Sequence, residues 1–234
     1  MKNPINIKSL AVSACLLSLL STSGTASADG HAHHEDKKSD VCLGFAGQTP
    51  RDIDSKEGTN PVKFDLASPS SEMNLCNIHF HANAEHKAKD FSIYAGDGKD
   101  GYGSGYQCGI SKSLTQAELK KPKGQICKDL APGDTIEVHW VHTSCDVAPG
   151  PGLGSCLSSA CANPDLRVET QVFTLVNDRN ALNFNDLSYD GNQADGFHQA
   201  KSIPSNTGVP VQFMGSTTGP SYNAQSCSAL QVTW

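Results

Sequence analysis

The residues best suited to chemistry fall in two short segments, Asn77-Ile78-His79-Phe80-His81 and Thr135-Ile136-Glu137-Val138-His139-Trp140. In each, polar and apolar residues alternate with the period of two that marks a β-strand with unlike faces. Asn77, His79 and His81 then share one face, while Ile78 and Phe80 take the other. Glu137 and His139 share a face opposite Ile136, Val138 and Trp140. If the two strands pair, side chains across the ladder stand about 5 Å apart at Cβ, and three imidazoles converge. Three neutral imidazoles without a fourth protein ligand describe an open zinc site of the catalytic kind.

The elements that must hold these residues are strands. Runs rich in β-branched and aromatic residues sit near 75–81, 90–94, 134–142, 167–176, 209–214 and 229–234, separated by Gly, Pro, Asn and Asp clusters. Helix signals are few. Thr115-Gln116-Ala117-Glu118 has capping-box spacing and predicts a short helix ending before Pro122. Two glycine-rich stretches, 96–105 and 148–154, lack nucleotide-binding spacing after a strand and read as disulfide-anchored excursions. There is no internal repeat. The expectation is a mainly β (α+β) single domain, built on a large mixed or antiparallel sheet with few short helices.

Residues 1–28 read as a secretory signal peptide. Lys2 and Lys8 open it, Leu10 to Leu20 form an apolar run, and Ala26-Ser27-Ala28 is a small-x-small cleavage pattern. Val12-Ser13-Ala14-Cys15 loosely resembles a lipoprotein processing box, but it would strand the apolar run behind the cysteine. Residues 29–40, with His31, His33 and His34, read as a flexible tail, and 41–234 as the catalytic domain. Losing the two leader lysines moves the formal charge from −6 to −8. No basic cluster exists, which argues against nucleic acid and against anionic membranes as partners.

Nine cysteines less Cys15 leave Cys42, Cys76, Cys108, Cys127, Cys145, Cys156, Cys161 and Cys227. Behind an export signal, an even set predicts up to four disulfides and a periplasmic or secreted location, with connectivity open. No Cys-x-x-Cys pair is present, so a thiolate metal site is not expected.

His79-Phe80-His81, Glu85-His86 and Glu137-Val138-His139-Trp140-Val141-His142 resemble the zinc-site strands of carbonic anhydrases. The α class carries the nearest familiar motifs, and the delta-class and related exported enzymes are closer over this stretch. Met214-Gly215-Ser216-Thr217-Thr218-Gly219-Pro220 resembles the loop that caps the α-class zinc, and Val232-Thr233-Trp234 the strand after it. The resemblance implies an α-carbonic-anhydrase-like fold and a Zn2+ enzyme hydrating carbon dioxide reversibly to bicarbonate and a proton through a zinc-bound hydroxide. It implies His79, His81 and His139 as metal ligands, with Asn77 and Glu137 accepting from the free ring N–H of His79 and His139. It further implies that Glu85 accepts from the Thr217 hydroxyl, which aims the nucleophile, and that Thr218 lines the substrate side. That pairing can slip by one residue, because the loop is one shorter than the α-class pattern.

His142, three residues beyond His139, faces the other way on a continuous strand and reads as a core histidine. His86 reads as structural. No single residue is singled out as proton shuttle among His198, His86 and the tail. The tight spacing from His81 to Glu85, the long stretch from His81 to His139, and glycine in place of the first proline after the paired threonines favour a divergent class.

Two rivals carry weight. His79-x-His81-x-x-x-Glu85 has the spacing of a cupin first motif, in which Glu85 would be a fourth ligand for iron or manganese in oxidative or isomerising chemistry. The flanking glycines and the second cupin motif are missing, since Thr143 stands where an asparagine belongs. The other rival is a non-catalytic exported metal-binding protein. The sequence carries no signal for an oligomeric state.

Overall fold

The computed structural model describes residues 6–8, 52–54, 64–99, 103–123, 129–216 and 228–234. The architecture is nearly all strand. The described elements include β1 (Asn6–Lys8), β2 (Asn74–Ala82), β3 (Ile93–Gly96), β4 (Gly105–Gln107), β5 (Thr135–Thr143) and β6 (Leu166–Val176). They continue with β7 (Leu182–Asn183), β8 (Gln193–Ala194), β9 (Phe197–His198), β10 (Gln212–Ser216) and β11 (Ser228–Thr233). Helical structure among the described residues is confined to short 3₁₀ turns, so the sequence-predicted mainly β domain is what forms.

Seven strands make one mixed sheet. β5 lies between β2 and β6, antiparallel to both. β6 runs parallel to β11, which pairs antiparallel with β10. β1, inside the segment read as a leader, runs antiparallel to the end of β6 and to β7.

Alternation sorts the core onto the two faces of this sheet. On one, Leu75, Ile136, Val138, Trp140, Phe173 and Leu175 pack under Leu187 and Ala200, and the Trp140 indole N–H donates to the Leu187 carbonyl at 3.0 Å. On the other, Cys76, Val141, Val168, Phe213, Leu230 and Val232 pack with Ile53 and Ala88.

The register breaks once in β2. Leu75 opposes His142 and Asn77 opposes Val141, so Cys76 is the extra residue of a β-bulge. A bulge re-aims its side chains. Here it puts Cys76 in the second core, on the same face as Asn77.

Two local expectations are corrected. Thr115 and Glu118 do make reciprocal capping bonds: Glu118 Oε2 accepts from the Thr115 N–H at 2.7 Å and Thr115 Oγ1 accepts from the Glu118 N–H at 3.3 Å. The chain nevertheless makes only a turn over 116–119, since Pro122 follows before a helix can repay its costly nucleus. Of the cysteines, Cys76 bonds Cys156 and Cys145 bonds Cys161. Cys108 is buried without a disulfide partner among the described residues, and Cys42, Cys127 and Cys227 lie outside them. The 148–154 stretch is held by disulfides as expected. The two ends of the 96–105 stretch lie on the antiparallel pair β3 and β4, Gly96 opposite Gly105.

Candidate metal centre

His79 and His139 are direct cross-strand partners, and His81 opposes Glu137. Pairing in this register brings the three imidazoles together: one nitrogen from each of His79, His81 and His139 lies within 4.8 Å of the others. Ring centroids are 4.8 to 5.2 Å apart.

Each ring has one nitrogen already committed. His79 Nδ1 is 2.7 Å from Asn77 Oδ1. His139 Nε2 is 2.6 Å from Glu137 Oε1. His81 Nδ1 is 3.1 Å from Glu85 Oε1. What remains at the centre is Nε2 of His79 and Nδ1 of His139, 3.2 Å apart, with one ring nitrogen of His81 within 4.8 Å of the others. Two nitrogens held 2.0–2.1 Å from one tetrahedral ion would be separated by roughly 3.3 Å. The residues present therefore fit a divalent ion such as zinc, in donor type and in spacing.

Glu137 is fully buried, and its carboxylate ties the centre together. While Oε1 meets His139, Oε2 accepts the Glu85 backbone N–H at 2.9 Å. That contact depends on a turn. Asn83 takes a left-handed φ of 65° at the end of β2, with its N–H donating to Thr135 O at 2.8 Å. Ala84 then exchanges two backbone bonds of 2.8 Å with Tyr106, so Glu85 turns back over Glu137. Gly105 closes this junction: at φ +102°, a Cβ there would lie 1.9 Å from the Ala84 carbonyl oxygen.

Electrostatics favour the ligating protonation state. Burial first, then the neighbouring His139 and His81, hold His79 down to about 4. Burial holds His139 down to about 4 against the pull of Glu85, and burial also lowers His81. Burial pushes Glu137 up to about 8, and burial, followed by the charge of Glu137, raises Glu85. Burial thus works against separated charges across the 2.6 Å Glu137–His139 contact. Exposure is graded across the centre. The side chains of Glu137 and His139 are 0% and 12% exposed, against 34% for Glu85 and 37% for His81, so solvent reaches the site from the His81–Glu85 side.

His142 is outside the trio, as alternation predicts. It is buried, with Nδ1 3.1 Å from the Trp140 carbonyl, and burial holds it down to about 4. His86 is buried against Trp234, ring centroids 4.5 Å apart. His198 pairs with the Tyr189 hydroxyl at 2.6 Å. Thr217 and Thr218 lie outside the described residues.

Sequence reasoning missed two neighbours of the centre. Trp234 sets its ring 6.2 Å from that of His139. Thr170, opposite His139 across β5 and β6, buries a hydroxyl that has no hydrogen-bond partner among the described residues. An isolated threonine on a strand and a tryptophan at the end of one give no sequence signal for either position.

A family model for delta carbonic anhydrase matches residues 70–234. The chain belongs to the delta carbonic anhydrase family. That match spans β2, β5, β6, β10 and β11 and all the residues of the centre. No curated protein and no solved structure gives a significant match. As a carbonic anhydrase, the chain acts on a small-molecule substrate and hydrates carbon dioxide, and the cupin and non-catalytic readings are set aside. The two disulfides fit an oxidising environment. No helix among the described residues is long and apolar enough to cross a membrane.

Proposed function

We propose that this carbonic anhydrase is a zinc enzyme whose ligands are His79 Nε2, His81 Nε2 and His139 Nδ1. The observation that carries the reading is the 3.2 Å approach of His79 Nε2 and His139 Nδ1, with the second nitrogen of all three rings already taken by Asn77, Glu85 or Glu137. Such acceptors fix ring orientation and raise ligand basicity. When bound, zinc supplies a Lewis acid that brings the pKa of water to about 7, the value already established for the metal of carbonic anhydrases.

The chain's own residues do the remaining work. Asn77 and Glu137 hold the His79 and His139 tautomers. Glu85 holds His81 through Oε1, leaving Oε2 to accept from the Thr217 hydroxyl, and Thr218 lines the side on which bicarbonate leaves. Neutral imidazoles leave the full charge on the ion, and the gradient of exposure directs carbon dioxide to the His81 side. Export fits the two disulfides: residues 1–28 act as the leader, 29–40 as a tail, and the mature chain works in the periplasm or outside the cell. Removing the leader takes β1, and its pairing with β7, from the sheet and leaves β2, β5, β6, β10 and β11.

The test is stopped-flow hydration of carbon dioxide by protein loaded with one zinc per chain. Hydration well above the buffer rate is expected. A stoichiometric zinc protein that hydrates no faster than buffer would overturn the proposal.

A further inference from the structure

The orientation of His79 can be followed back to a covalent anchor. Because of the bulge in β2, Cys76 and the neighbouring Asn77 meet the same loop. Cys76 is bonded to Cys156, and both are buried. The loop that ends there is closed a second time by Cys145–Cys161. Its Gly150 N–H donates to the Cys76 carbonyl at 3.0 Å, and its Gly150 carbonyl accepts from Asn77 Nδ2 at 2.9 Å. The other end of the Asn77 amide, Oδ1, accepts from His79 Nδ1 at 2.7 Å.

A primary amide has one donating end and one accepting end. The Gly150 carbonyl can only accept, so it takes the NH₂ group and turns Oδ1 toward His79. An oxygen there requires the proton on Nδ1 and leaves the Nε2 lone pair facing the centre. With the amide reversed, its NH₂ would meet the ring, the proton would move to Nε2, and that nitrogen would be lost as a donor to the ion.

We propose that the disulfide-closed loop 145–161, pinned by Cys76–Cys156, is the positioning element that selects the metal-binding tautomer of His79 through Gly150 and Asn77. This rests on His79 being a ligand. Space explains why glycine stands at 150: a Cβ there would lie 2.4 Å from Ser155 Oγ and 3.1 Å from Ser155 Cβ. Rotating the Ser155 hydroxyl relieves the closer of these contacts, and the 3.1 Å approach to Ser155 Cβ is relieved by a shift of the loop, which carries the Gly150 carbonyl, away from Asn77.

The experiment is zinc affinity of the metal-free, oxidised protein by competition with a chromophoric chelator, with imidazole ¹⁵N NMR of His79 as the tautomer readout. Gly150→Ala should weaken zinc binding by up to about 10-fold, the lower end of the range for lost orienting partners because Asn77 itself stays in place, and shift His79 toward the Nε2–H form. Gly150→Ala with Ser155→Gly should recover affinity and tautomer, because the colliding side chain is gone. Cys76→Ala with Cys156→Ala should repeat the loss. Should that pair fail to fold, the Gly150 variants decide alone. Wild-type affinity in Gly150→Ala, or a loss that Ser155→Gly does not restore, overturns the inference. His79→Ala is the control: if it binds zinc as tightly as the wild type, the ligand assignment itself falls. If it loses zinc while Gly150→Ala does not, only the loop's role falls.

Discussion

Gly105→Ala tests whether the turn at Asn83–Glu85 positions the centre. A Cβ at 105 would sit 1.9 Å from the Ala84 carbonyl oxygen and 2.9 Å from its carbon. Reaching ordinary contact near 3.5 Å requires a shift of about 1.5 Å. Both atoms are backbone, so no side-chain rotation relieves the clash. The residue would also hold a φ of +102°. That backbone costs about 1–2 kcal/mol for a non-glycine residue, and the two Ala84–Tyr106 bonds are worth about 0.5–1.5 kcal/mol each. Their loss together gives roughly 2–5 kcal/mol of destabilisation. The site suffers through Glu85, whose N–H to Glu137 contact of 2.9 Å does not survive a movement of that size. A 1 Å misplacement can cost on the order of 100-fold in rate. Urea unfolding gives the stability, and stopped-flow carbon dioxide hydration at matched zinc occupancy gives the rate. Stability within about 0.5 kcal/mol and a rate within about twofold of wild type would refute the reasoning.

His139→Ala should abolish zinc retention and hydration together, measured by metal analysis after dialysis, whereas His142→Ala should keep zinc and mainly lower the urea midpoint. Equal metal loss in both would contradict the facing of β5. Stability should fall with acid through His142. Its folded value of about 4 lies below the ordinary 6.5, so the unfolded chain takes up the proton first, and stability is full above about pH 6.5 and is lost as pH falls toward 4. Between pH 7 and 4.5 this contributes roughly 2.5 kcal/mol, and the ion-free His142→Gln variant should lose less stability than wild type over that interval; an identical loss would refute the assignment. Glu85→Gln should retain zinc but hydrate on the order of 10–100-fold more slowly, while release of zinc on dialysis would make Glu85 a ligand instead.

How much of this was legible in the sequence depends on range. The long strands were readable because a half-buried ladder imposes alternation, which also placed Asn77, His79 and His81 on one face and His142 away from His139. The cross-strand pairing of His79 with His139 then made the trio's convergence a geometric consequence. Glu85's attachment to His81 and Glu137 was not readable, because it needs the left-handed Asn83 and a close approach of Gly105 from a distant strand. The bulge at Cys76 and the role of Gly150 were hidden for a similar reason. A bulge is one extra residue that no period reveals, and the Gly150 carbonyl is backbone, present at every position in any sequence. The capping box at Thr115 was local and did form, but local bonds alone did not extend it into a helix. Cysteine connectivity was open in the sequence, and among the described residues it is fixed for Cys76–Cys156 and Cys145–Cys161.

The most direct measurement of the central claim is X-ray absorption at the zinc edge of the loaded protein. Three histidine nitrogens at about 2.0–2.1 Å and one exchangeable light ligand are expected, with one nitrogen lost from the shell in His79→Ala. A sulfur ligand, a protein carboxylate in the fourth position, or a shell unchanged in His79→Ala would contradict the account.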